Sequence, residues 1–161
     1  LAPDKMTVFA GVTKSAAGTG QVVELSATVS TNNGSFSMPS DSGTGTWATA
    51  AKGTSAIVLA ESAANAYVAP ITTVNTSIQN LAASSNVATL RVNGSQVAVS
   101  GAGAGGGNYG NYPLYLGMRA GTSLQFNGVI YSLIIRGAQS TAAQISSTES
   151  WVAAKTPLGT L

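Results

Sequence analysis

The chain contains no histidine and no cysteine, and charge of either sign is scarce. Without His it lacks the commonest general base and the commonest metal ligand. Without Cys it lacks a thiol nucleophile and any disulfide framework, and its redox compartment cannot be read. Ser-His-Asp and Cys-His sites therefore cannot form within it. Charged residues make up 7% of the sequence, against ~25% in an ordinary soluble domain. The seven cations are Lys5, Lys14, Lys52, Arg91, Arg119, Arg136 and Lys155. They are scattered and build no basic stripe, so no nucleic-acid partner is expected. No apolar run approaches the ~20 residues that span a bilayer, so no membrane insertion is expected.

The carboxylates are few as well: Asp4, Glu24, Asp41, Glu61 and Glu149. Glycoside hydrolysis needs two of them flanking one bond, ~5–10 Å apart. Glu24 stands alone in VVELS and reads as a solvated or edge-protecting residue. The expectation is a protein that is not an enzyme. Calcium wants several oxygen ligands, usually with carboxylates among them. Asp41 in PSDSGTG is the one weak candidate, and a turn Asp bonding its own backbone is the preferred reading. No cofactor is expected, Ca2+ included.

What remains is Ser, Thr, Asn and Gly polarity around a 44% hydrophobic content. Such polarity is common on extracellular and virion β-proteins. The apolar residues recur at strand spacing, so low charge does not mean disorder here. The 161 residues suit a single domain, 1–161. The sequence starts with Leu1 almost directly before a strand, which reads as part of a longer polypeptide.

Alternation predicts strands over Met6–Thr13 and Gln21–Ser30, with Asn33-Gly34 as a tight hairpin turn into Phe36–Met38. Thr46–Ala51, carrying Trp47, reads as a further strand. The apolar run Ala56–Leu59 is followed by Ala60–Ala66, read as strand, and Pro70 breaks the stretch or places it at an edge. Thr72–Leu81 and Asn86–Val92 follow, the second closed by Asn93-Gly94 and returning through Gln96–Val99. The glycine-rich segment 101–111 reads as a flexible connection: it lacks the lysine and following helix of a phosphate loop. Leu114–Met118 and Val129–Arg136 are the last strands, and a helix runs from Ser140 to about Ala154, with Pro157 stopping it. Many short strands, Gly/Asn turns and one late helix give an all-β antiparallel sandwich with a short C-terminal helix.

The run LRVNGSQV resembles the strand, Asn-Gly, strand hairpin of concanavalin A-like (laminin-G-like) jelly rolls. LYLGMRAG resembles their next strand, and FNGVIYSLIIRGAQSTAAQI their closing strand, turn and helix. MTVFAGV resembles their early core strand. The likeness is concentrated between Ala88 and Trp151, and its wording is similar to domains of bacteriophage and prophage virion proteins. The glucanases of that superfamily carry an E-x-D-x-x-E arrangement that this chain lacks. Members usually also have an upstream strand with an aromatic-Asp-Gly turn. That strand is missing here, so a neighbouring segment or partner chain is expected to add it.

The resemblance implies a virion structural or adhesion module, at the virion surface or extracellular, whose partners are other virion proteins or further copies of itself. The alternative is a lectin-like domain that binds a glycan. For that reading the candidates are Asn108, Tyr109, Asn111 and Tyr112, since rings stack on sugar C–H groups while amides read hydroxyls. Trp47 is either a further exposed platform or a core residue. For the tyrosines, packing in the core and loop is the preferred reading. Trp151 reads as the anchor of the helix to the sheet. Arg91 and Arg119 read as surface or edge cations that could also pair across subunits.

Overall fold

The computed structural model describes residues 3–40 and 45–158. Among these the chain forms β1 (Lys5–Lys14), β2 (Gly20–Leu25), β3 (Ser35–Ser40), β4 (Ala48–Lys52) and β5 (Ile57–Glu61). After them come β6 (Ile71–Asn80), β7 (Ala88–Val92), β8 (Ser95–Val99), β9 (Leu114–Leu116), β10 (Gly128–Arg136) and α1 (Ala142–Lys155). The strands build two antiparallel five-stranded sheets, in the orders β10-β1-β6-β7-β8 and β5-β4-β3-β2-β9. The expected β-sandwich with a short C-terminal helix is what forms.

Burial follows from this layering. β1 sends Met6, Val8, Ala10 and Val12 between the sheets and Phe9 toward the helix. Both of its faces are covered, so it does not alternate apolar with polar. On the second sheet, Phe36 lies opposite Leu25 and Ala51, and Met38 opposite Val23. A bulge between Gln21 and Val23 turns both Val22 and Val23 into the same core cluster. Trp47 closes that layer with no exposed surface.

The helix seats Ile145, Val152 and Ala153 on Phe9 and Val74. A capping box starts it: the Gln144 amide donates to Thr141 Oγ1, and the Thr141 amide donates to Gln144 Oε1 at 3.0 Å. Its close approach requires Gly11, where a Cβ would collide with Thr156 Oγ1. Trp151 does not anchor the helix. It is 51% exposed, with the Lys155 ammonium 5.6 Å from its ring. The 3.6-residue period puts Ile145, Glu149, Val152 and Ala153 on the buried face and leaves Trp151 off it.

Several local expectations change. β2 stops at Leu25 rather than Ser30, because Ser26 takes φ 93° and the chain turns away. The tight Asn33-Gly34 hairpin is instead a loop over residues 26–34. Asn93-Gly94 does make the two-residue turn, with φ 48° and 79°. Of the stretch Ala60–Ala66 only Ala60 and Glu61 are strand: β5 ends at Glu61 and turns follow. The strands run between two ends. One gathers residues 26–34, 53–55 and 101–111; the other gathers 15–19 and 117–127.

Candidate functional site

Segment 101–111 sits over the first of these ends and is not a flexible tether. The amides of Thr54, Ser55 and Ala56 donate to the carbonyls of Gly106, Ala104 and Gly103 at 3.1, 2.9 and 3.3 Å. This zips the glycine segment to the β4–β5 turn. Ala104 is buried with Ala51, Val58, Leu81 and Val87. Gly53 is needed there, since a Cβ would strike the carbonyls of Ala104 and Gly106.

Tyr109 then turns inward. Its amide donates to the Pro3 carbonyl at 2.7 Å. Its ring meets Phe36 edge-on, with centroids 6.0 Å apart. Its hydroxyl donates to Gln79 Oε1. Gln79 Nε2 in turn donates to Thr49 Oγ1 at 2.9 Å and to Ser77 Oγ at 2.8 Å, and those two hydroxyls bond each other. Thr49 belongs to one sheet, and Ser77 and Gln79 to the other, so the network crosses the sandwich and ends on the loop. Burial, with Asp4 second, pushes the Tyr109 phenol well above its ordinary value. Tyr109 is thus half-buried against the core, with its hydroxyl committed to Gln79.

Tyr112 and the asparagines lie at the rim of the same end. The Tyr112 hydroxyl donates to the Asn33 carbonyl at 2.9 Å, and the Gly110 amide donates to the Gly34 carbonyl at 2.8 Å. The turn at Asn33 is thereby joined to the loop. Asn33, Asn108 and Asn111 are exposed and the Tyr112 ring is half-buried. These ties join the backbone segments that carry the three amides and the Tyr112 ring, and none of these four residues is charged. Trp47 is not part of it. It lies inside the sandwich, 6.2 Å from Phe126 at the opposite end, and cannot serve as a platform.

Two ion pairs tie elements of the fold together. Glu24 is fully buried, not solvated: Arg119 Nε donates to its Oε2 and the Val29 amide to its Oε1, each at 2.8 Å. Arg91 clamps Glu149 through two nitrogens at 2.8 and 3.1 Å, tying β7 to the helix. Both arginines thus pair within the chain. The Asp4 carboxyl is held below its usual value by the Lys5 ammonium. Thr46 Oγ1 donates to Glu61 at 2.8 Å. Among the described residues no three of Asp, Glu, His and Cys cluster. Asp41 lies outside the described residues. No helix among them is long and apolar enough to cross a membrane.

No protein-family model matches the chain, and no curated protein matches it in sequence. Solved structures do superpose on it. The native heptameric SAP-like pentraxin from Limulus polyphemus aligns with a TM-score of 0.66 at 14% identity, over 98% of this chain and 73% of that one. The CBM40 of the Ruminococcus gnavus IT-sialidase, bound to α2,3-sialyllactose, aligns at 0.63 and 14%, over 92% and 84%. Domains LG4-5 of the mouse laminin α1 chain align at 0.59 and 16%, over 85% of this chain and 36% of that one. The fold is the concanavalin A-like jelly roll. At these identities the likeness carries the fold alone. Two features of the site were not anticipated. Gln79 sits in a strand of ordinary β-formers, and Phe126-Asn127-Gly128 read only as the approach to a strand.

Proposed function

We propose that the chain is a non-catalytic, lectin-like module that holds a glycan at the rim formed by Asn33, Asn108, Asn111 and Tyr112, in an extracellular setting. The carrying observation is that rim: exposed amides beside a half-buried aromatic ring, fixed by backbone bonds to the sandwich. Amides offer both donor and acceptor to each sugar hydroxyl, and a ring face suits the C–H side of a pyranose. A pre-fixed loop loses little entropy when a ligand arrives. The superposed CBM40 holds sialyllactose, which supports this class of ligand for the fold.

The test is a glycan array followed by calorimetric titration of the ligand it finds. Asn108→Ala with Asn111→Ala lowers affinity by about tenfold or more, the change that accompanies a lost hydrogen bond, and leaves the melting temperature unchanged. Wild-type affinity in that double variant removes the rim from the reading. Sustained polysaccharide turnover overturns the non-catalytic part.

A structural or adhesion role at a virion surface, with other virion proteins or further copies as partners, rests on the sequence resemblance alone. None of the three superposed structures named above is a virion protein. The native mass separates the readings: a glycan-binding monomer favours the lectin, and a chain recovered only in a large assembly favours the structural role.

A further inference from the structure

The end of the sandwich opposite the rim carries a second concavity. Residues 17–19 of the β1–β2 loop and 125–128 at the entry to β10 line an open recess of about 590 Å3, within the ~300–1,000 Å3 range of small-molecule sites. Its walls are fixed. The Ser15 amide donates to the Asn127 carbonyl and the Gln21 amide to the Leu124 carbonyl, each at 2.8 Å. Gly20 lets the two loops touch, since a Cβ there would meet Gln125 O and Phe126 Cα at 2.6 Å.

The lining combines exposed Thr19, Gln125 and Asn127 with the half-buried ring of Phe126. That ring is backed by the buried Trp47 indole at 6.2 Å, so it stands on a rigid support. Among the described residues, none that lines the recess is charged. Such a lining offers hydroxyl-reading amides and one aromatic surface, and no cationic side chain of its own.

We propose that this recess is a second saccharide subsite, selective for neutral sugars over acidic ones. The proposal rests on the lectin-like reading but uses a different end of the molecule. A carboxylate brought here would lose hydration without gaining a cation, whereas uncharged hydroxyls exchange water for Gln125, Asn127 and Thr19.

The chain's two tryptophans make the site readable by NMR. Trp47 lies behind Phe126, and Trp151 is on the helix. The experiment titrates the 15N-labelled chain with maltotriose, cellotriose and chitotriose, and separately with α2,3-sialyllactose. At least one neutral trisaccharide is expected to shift the amides of residues 18–19 and 125–128 and the Trp47 indole, leaving the Trp151 indole in place. Gln125→Ala and Asn127→Ala, both at exposed positions, weaken those shifts about tenfold, with the folded spectrum retained. Shifts confined to residues 108–112 overturn the recess and leave the rim reading standing. Equal or stronger response to sialyllactose at the recess overturns its selectivity. No response to any of the four saccharides at residues 18–19 and 125–128, where the glycan found by array titrates the rim, overturns the subsite alone; no response at either end with any glycan overturns both.

Discussion

Replacing Tyr109 with Phe removes one oxygen atom and tests the network that crosses the sandwich. The ring keeps its edge contact with Phe36. Gln79 Oε1 loses its donor, while Gln79 Nε2 stays on Thr49 and Ser77 and so cannot swing away to find another. A buried acceptor left unpaired costs about 1–3 kcal/mol. For a chain of this size that lowers Tm by roughly 2–4 °C per kcal/mol. Urea unfolding at neutral pH measures the cost directly.

The same variant has a distinctive alkaline signature. The Tyr109 phenol is raised in the folded state by burial and, second, by Asp4. The unfolded chain releases that proton near pH 10, and the folded chain retains it. Above about pH 10 the unfolded state therefore binds fewer protons, and stability falls as pH rises, by ~1.4 kcal/mol per pH unit for one proton. Tyr109→Phe lacks this component, so its deficit against wild type narrows between about pH 10 and pH 11. Unfolding midpoints measured in parallel from about pH 8 upward follow the narrowing. A deficit that stays constant over that range, or a variant as stable as wild type at neutral pH, refutes the buried Tyr109–Gln79 bond.

Two further outcomes follow from single contacts. Gly11→Ala places a methyl group against Thr156 and Val152 and should destabilise by about 1–3 kcal/mol; hydrogen exchange should then rise first in residues 142–155, and uniform loss across the sheets would contradict the docking role. Arg119→Ala leaves the fully buried Glu24 with only the Val29 amide and should cost about 3–5 kcal/mol in denaturant unfolding. Adding Glu24→Gln to it should recover part of that loss, and no recovery would place the effect elsewhere than in the buried charge.

The strands that announced themselves in sequence are those where apolar spacing and turn chemistry agree. Asn86–Val92, Asn93-Gly94 and Val129–Arg136 form close to where they were expected, because positive φ at Asn-Gly is a local property. Trp47 was undecided because its strand, TWATAA, has small residues on both sides and so gives period-two reasoning no contrast. Glu24 was misjudged for a related reason. A lone carboxylate in QVVEL looks solvated until Arg119, far along the chain, is folded onto it. Tyr109 sits among glycine and asparagine signals that mark a surface loop, and only its meeting with Gln79 turns it inward.

The sequence by itself determined the all-β architecture, the late helix, and the lack of His and Cys chemistry. These depend on residue identity and near-neighbour spacing. Tertiary structure alone decided which polar residues lie inside. Thr73, Asn75, Ser77 and Gln79 occupy the core face of β6, all fully buried, where local pattern would set them in water. They are interior because β6 lies between β1 and β7 with the second sheet across from it. The same layering turns the Tyr109 hydroxyl inward to Gln79 while the asparagines beside it stay exposed at the rim proposed as the contact surface.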